Sequence, residues 1–123
     1  MKLSKLRLSN EASSRLRFLA GKTGLTPNLL CRMGFCLSLS EQSTPNPSDY
    51  PEEDREFNRY TLLGEYDPLF IALLRERLAA DRNRYSAEEA FRAHMNRGVL
   101  LLQQRLKDID HLGLLMPGFA KTK

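Results

Sequence analysis

Few side chains in this sequence could do chemistry. It has two histidines, His94 and His111, and two cysteines, Cys31 and Cys36. His111 stands in the run DIDHLG, after Asp108 and Asp110. One carboxylate pair and one imidazole at a helix end is a sparse donor set for a divalent metal, and no metal site is expected there. His94 falls on an apolar helical stripe, where a buried, hydrogen-bonded ring is expected rather than a proton-transfer group. Cys31 and Cys36 are five apart, about 140° around a helix, so they do not act together within one chain. Their apolar neighbours would keep a thiol protonated and poor at carrying sulfur. The sequence has neither a glycine-rich phosphate loop nor a nucleophile motif. The expectation is a protein that is not an enzyme, with no catalytic residue, cofactor or metal.

The cations are the other chemically active group. The net charge of +4 conceals a strong segregation. Residues 1–40 carry seven basic side chains against one acidic, a balance of +6. Residues 41–67 balance at −6, and residues 68–123 at +4. A basic segment of this kind suits phosphates, whose contacts are salt-dependent and indifferent to sequence. Lys5, Arg7, Arg15, Arg17 and Lys22 are the expected DNA-binding residues. Lys2 lies near the chain end and Arg32 inside an apolar helix, so both rank lower. No base-reading code is visible, and no aromatic residue precedes Phe18, so stacking on unpaired bases has little support in the first residues.

These cations need elements to position them. Residues 4–9, SKLRLS, alternate, with Leu6 and Leu8 on one side and Lys5, Arg7 and Ser9 on the other, the period of a half-buried strand. A helix follows, capped by Ser9 or Asn10, with Ala12, Leu16, Leu19 and Ala20 as its apolar stripe and Gly24 as its stop. Thr26-Pro27 opens a second helix to about Leu39. Its apolar residues cover nearly every side, so it should be buried all round, partly by another copy of the chain. A basic strand followed by two helices is the order of a ribbon-helix-helix unit, in which strands of two chains pair and can enter a DNA groove.

Residues 40–56 hold Pro45, Pro47 and Pro51 among acids and form a loop. Residues 57–66 read equally as a short strand or a turn-rich connection. Asp67-Pro68 opens a helix with Leu69, Ala72, Leu73 and Arg77 on one face and Phe70, Leu74 and Leu78 on another. Ser86, with Glu89 as its capping-box partner, opens the longest helix, which should end near Gly113. Its stripe comprises Ala87, Ala90, Phe91, His94, Leu101, Leu102, Leu106 and Ile109. Gly98 lies on that stripe, where it would admit another helix closely.

The expected fold is thus mostly helical, all-α, with a short N-terminal strand, in a single domain over 1–123. It divides into a basic strand-helix-helix part (1–39), an acidic Pro-rich loop (40–56) and a helical part with a loose tail (57–123). No stretch of about 18 apolar residues suggests a membrane span, and no export signal is visible, so a cytoplasmic protein is expected.

Three stretches carry a family resemblance: RLSNEASSRLRFLAGKTGLTPNLLCRMGFCLSL, EFNRYTLLGEYDPLFIALLRERL and FRAHMNRGVLLL. KTGLTPN and EFNRYTLLGE are the most specific parts. Together they resemble the DndE family of bacterial DNA sulfur modification proteins over Lys5 to Leu106. The resemblance implies a small component of the system that replaces a non-bridging phosphate oxygen of DNA with sulfur. A cysteine desulfurase, a reductase-like protein and an ATPase would be its partners. It also implies a homo-oligomer, a tetramer, that binds double-stranded DNA and favours nicked duplex. The alternative class is a protein–protein adaptor whose basic face docks a partner of the same machinery.

Overall fold

The computed structural model describes residues 3–115, with side chains over 3–107. The chain is mostly helical: β1 (Lys5–Arg7), α1 (Asn10–Thr23), α2 (Pro27–Ser40), β2 (Glu56–Asn58), the single-turn α3 (Arg59–Leu63), α4 (Asp67–Ala80) and α5 (Ala87–Leu115). Two 3-10 turns, Pro47–Asp49 and Gly64–Tyr66, complete it.

The helix starts follow local chemistry. Ser9 Oγ accepts from the Ala12 amide, and Thr26 Oγ1 accepts from the Leu29 amide at the start of α2. Ser86 and Glu89 satisfy each other's backbone amides at 3.1 Å, a reciprocal capping box. Gly24 ends α1 in the left-handed region at φ 75°, donating its amide to Ala20. Asp67 departs from expectation: it lies inside the first turn of α4, and its carboxylate takes two bonds from Arg59 at 2.8 Å instead of capping.

The core is built around α2 against α5. The two helices meet at Gly34 and Gly98. A Cβ at Gly34 would stand 2.6 Å from the Gly98 carbonyl carbon. With both side chains reduced to hydrogen the backbones touch, and Phe35 then packs edge-on against Phe91 at 5.5 Å between centroids. Leu30, Cys31, Leu74, Met95 and Val99 fill the remaining space. The close approach expected at Gly98 is present. α5 runs past Gly113 to Leu115, because a glycine within a long helix costs only about 1 kcal/mol.

Two expectations are corrected. The N-terminal strand does not need a second chain: β1 pairs antiparallel with β2 of the same chain, Leu6 opposite Phe57. Leu6, Leu8 and Phe57 are all buried, so the ribbon has an apolar face to set against the helices. Ser9 does not share the solvent side with Lys5 and Arg7. It is buried, because it caps α1 and its amide donates to Asn96 Oδ1 at 2.8 Å. The single chain covers the inner face of α2 and leaves Leu29, Met33 and Cys36 facing solvent, so burial of the helix on every side would take another chain. The ambiguous segment 57–66 is strand, helical turn and 3-10 turn in succession.

The acidic stretch 40–56 is a loop, and it is strapped down. Arg77 donates to the carbonyls of Leu39, Glu41, Gln42 and Ser43, and Arg97 to Ser38 and Ser43. Arg92 reaches Pro47 and Glu52. The far end turns back on the basic part, where the amides of Glu53 and Asp54 bond to the Leu8 carbonyl.

Candidate nucleic-acid interface

Lys5, Arg7, Arg15, Arg17 and Lys22 are all exposed. Alternation sends Lys5 and Arg7 outward from β1 while Leu6 goes inward. The ladder sets Glu56 opposite Arg7 and Asn58 opposite Lys5, so one strand cation has an acid as its cross-strand neighbour.

On α1 the three cations divide. Arg15 and Lys22, seven apart, lie within about 20° of each other around the axis, and Arg17 lies about 200° from Arg15. Arg17 meets Asp54 at 3.4 Å, with its side chain 62% exposed, a pair of little energetic consequence. The five residues therefore do not form one cluster. Arg7 and Arg17 border the acidic segment that folds back from residue 53 onward, and Arg15 and Lys22 occupy the opposite flank of α1. Charges segregated along the chain are partly neutralised in space.

Two residues that the sequence reading missed join the second flank. Phe18 lies between Arg15 and Lys22 and is 57% exposed, with Lys22 Nζ 5.9 Å from its ring centroid. Lys107 of α5 stands across a cleft of about 260 Å³ lined also by Phe18, Leu19, Lys22, Gln103 and Leu106. The spacing Arg15–Phe18–Lys22, i, i+3, i+7, is a basic-aromatic stripe visible in the sequence. Lys107 gave no local signal, because α5 brings it over from the far end of the chain. Arg32, ranked low, is half-buried and spends its Nε on the Leu62 carbonyl at 2.6 Å.

His94 is buried, with Nδ1 2.8 Å from Ser38 Oγ. Arg97 Nε donates to the same oxygen at 2.8 Å, which leaves the serine proton to point at Nδ1 and the ring proton on Nε2. Burial, with Arg97 and Arg77 nearby, holds the His94 pKa down at about 4. Ser38 is fully buried as well, so this serine–histidine pair has no access to a substrate. Cys31 is buried, and loss of solvent pushes its thiol up to about 12. Cys36 is exposed, yet partial desolvation still raises its thiol. Neither is poised as a thiolate. Among the described residues no group of three His, Cys, Asp or Glu side chains could hold a metal ion. The side chains of Asp108, Asp110 and His111 lie outside the described residues.

A second surface is apolar. Leu29, Met33 and Cys36 of α2 run beside Tyr66, Leu69 and Phe70 around a cleft of about 280 Å³, with Arg32 at its edge. Leu69 and Leu73 of α4 are exposed, while Phe70, Ile71, Leu74 and Leu78 are buried.

Comparison with known proteins gives one family and one fold. The family described as DNA sulphur modification protein DndE matches residues 5–109. The crystal structure of DndE from Escherichia coli B7A, involved in DNA phosphorothioation modification, superposes with a TM-score of 0.67 at 23% identity. The match covers 83% of this chain and 98% of that chain. No curated protein sequence matches.

Proposed function

The chain belongs to the DndE family of DNA sulphur modification proteins, and on that premise we propose that it is the non-catalytic DNA-binding subunit of the phosphorothioation machinery, working as a homo-oligomer, a tetramer, in the cytoplasm. One observation carries the reading: Lys5, Arg7, Arg15 and Lys22 are solvent-facing, whereas the serine–histidine pair and Cys31 are sealed in the core. The surface is equipped to hold phosphates and not to transform them. Double-stranded DNA binds through counterion release, and nicked duplex is favoured where binding bends the DNA, since a nick lowers the cost of a kink. Among the described residues no helix is long and apolar enough to cross a membrane.

The test is a titration of intact and nicked duplexes of several sequences between low and moderate salt. Log affinity should fall with log salt at a slope of about −0.9 per neutralised phosphate. Each Lys→Ala or Arg→Ala change at positions 5, 7, 15 and 22 should flatten that slope by about one unit and weaken all sequences alike. Arg17→Ala should do less, because Asp54 already shares its charge. Binding that ignores salt, or no binding, overturns the reading.

The exposed apolar face of α2 and α4 favours a second role. A subunit with that surface makes protein contacts, either with its own copies or with other members of the modification machinery. An adaptor that docks its basic face on an acidic partner would show no duplex affinity by itself.

A further inference from the structure

Phe18 is the one large apolar side chain of α1 that turns to solvent, while Leu16 and Leu19 beside it are buried. Burying such a side chain is favourable, yet the fold leaves it out. Its neighbours one turn away on either side are Arg15 and Lys22. Across the cleft stand Lys107 and Gln103 of α5. Glu11, the acid of α1, shares the flank two turns earlier. An apolar protein partner seated on Phe18 would have to desolvate three cations around it. A nucleotide has no such conflict, because it presents a flat π-face with an anionic phosphate on either side. In continuous duplex those faces are already covered by the neighbouring base pairs. They are bared, or cheaply bared, at a nick, a gap or an end.

We propose that Phe18 stacks on a base exposed at a discontinuity in DNA, with Arg15, Lys22 and Lys107 holding the phosphates on either side of it. The inference rests on the DNA-binding reading above and adds to it a residue that recognises the discontinuity. The ring supplies contact area without reading base identity. Recognition is therefore of the bared base face, not of the sequence around it.

The chain has no tryptophan, so Phe18→Trp introduces a single fluorophore at the point of contact. Its emission should be quenched by nicked and by gapped duplex, and left unchanged by a relaxed, covalently closed circular duplex. Phe18→Ala should weaken nicked-duplex binding about tenfold, the scale of one aromatic–base stack, and intact closed duplex less than twofold. Phe18→Trp should restore the preference. The ring is already exposed, so Phe18→Ala should keep its helical circular dichroism and its mass in light scattering. A Phe18→Ala variant that binds both DNAs like wild type overturns the stacking inference. Equal quenching by the closed duplex, or a changed mass, does the same, a changed mass assigning Phe18 to a subunit contact. In those cases salt-dependent binding of the closed duplex by wild type leaves the DNA-binding reading standing. Failure of wild type to bind either duplex overturns both.

Discussion

His94 couples folding to pH. A histidine whose folded pKa sits at about 4 is bound as the neutral ring, and in the unfolded chain it returns to its ordinary value of about 6.5. The unfolded state then takes up the proton first. This contribution to stability is fully present above about pH 6.5 and is lost as pH falls toward 4. Each unit within that window costs at most about 1.4 kcal/mol, so no more than about 2 kcal/mol disappears between pH 6.5 and 5. Protonation is doubly opposed, by burial and by the guanidinium of Arg97 on the other side of Ser38. Urea unfolding of wild type and His94→Gln at pH 7 and pH 5 checks this. The variant should be less stable at pH 7 and should lose distinctly less on acidification, because carboxylates common to both chains cancel in the comparison. Equal pH slopes for the two proteins would show that the ring does not titrate as described.

At the scale of elements, the α2–α5 crossing decides the architecture. Gly98→Ala would gain about 1 kcal/mol of helix propensity. Against this, its Cβ would fall on the Gly34 carbonyl, a backbone group with no rotamer to escape into. Overpacking of a close core costs 1–3 kcal/mol when side chains can give way, and here they cannot, so a net loss of about 2 kcal/mol or more is expected in thermal or urea unfolding. A variant as stable as wild type would mean that the helices can part without cost. What the sequence discloses about these elements divides by distance along the chain. Thr26-Pro27, Gly24 and the Ser86–Glu89 box act within one turn, and each helix start or stop they signal is where the reading put it. Gly98 was legible as a glycine where a helix former belongs. β1's partner was not, because Leu6 and Phe57 are 51 residues apart and three residues of alternation carry no address. The same holds for loop 40–56. Its prolines and acids announce a loop, but nothing local announces that Arg77, Arg92 and Arg97 will tie it down. The candidate site shows both cases: the exposure of Lys5, Arg7, Arg15 and Lys22 follows from alternation and helical phase. That the acids of residues 53–56 return to Arg7 and Arg17 follows only from the strand pairing.

On the scale of the whole molecule, the single chain leaves an unfinished apolar face. Leu29 and Met33 are each 39% exposed, Tyr66 50% and Leu69 54%, and they adjoin one another across α2 and α4. The α2 helix, apolar on nearly every side, uses its inner face for the core and presents this outer one. Covering it with a second copy removes apolar surface from water and repeats the basic flanks of α1 and β1 in each subunit. Light scattering at micromolar concentration should therefore give two or four chains. The choice of variant matters. Phe35 is fully buried within one chain, so a charge there unfolds the monomer and says nothing about assembly. Met33 is exposed in the monomer, and Met33→Asp leaves the fold intact while placing an unpaired charge at the contact, a cost of several kcal/mol in the assembled state. The variant should run as a monomer with wild-type helical circular dichroism. Its salt slope on duplex DNA should fall as well, because each assembled copy adds its own phosphate contacts and a lone chain keeps only one set. A wild-type monomer would leave the α2 face to a different protein. A Met33→Asp variant that stays assembled would move the contact to another surface. A monomeric variant with an undiminished salt slope would show that one subunit carries the whole DNA contact, and that assembly does not enlarge it.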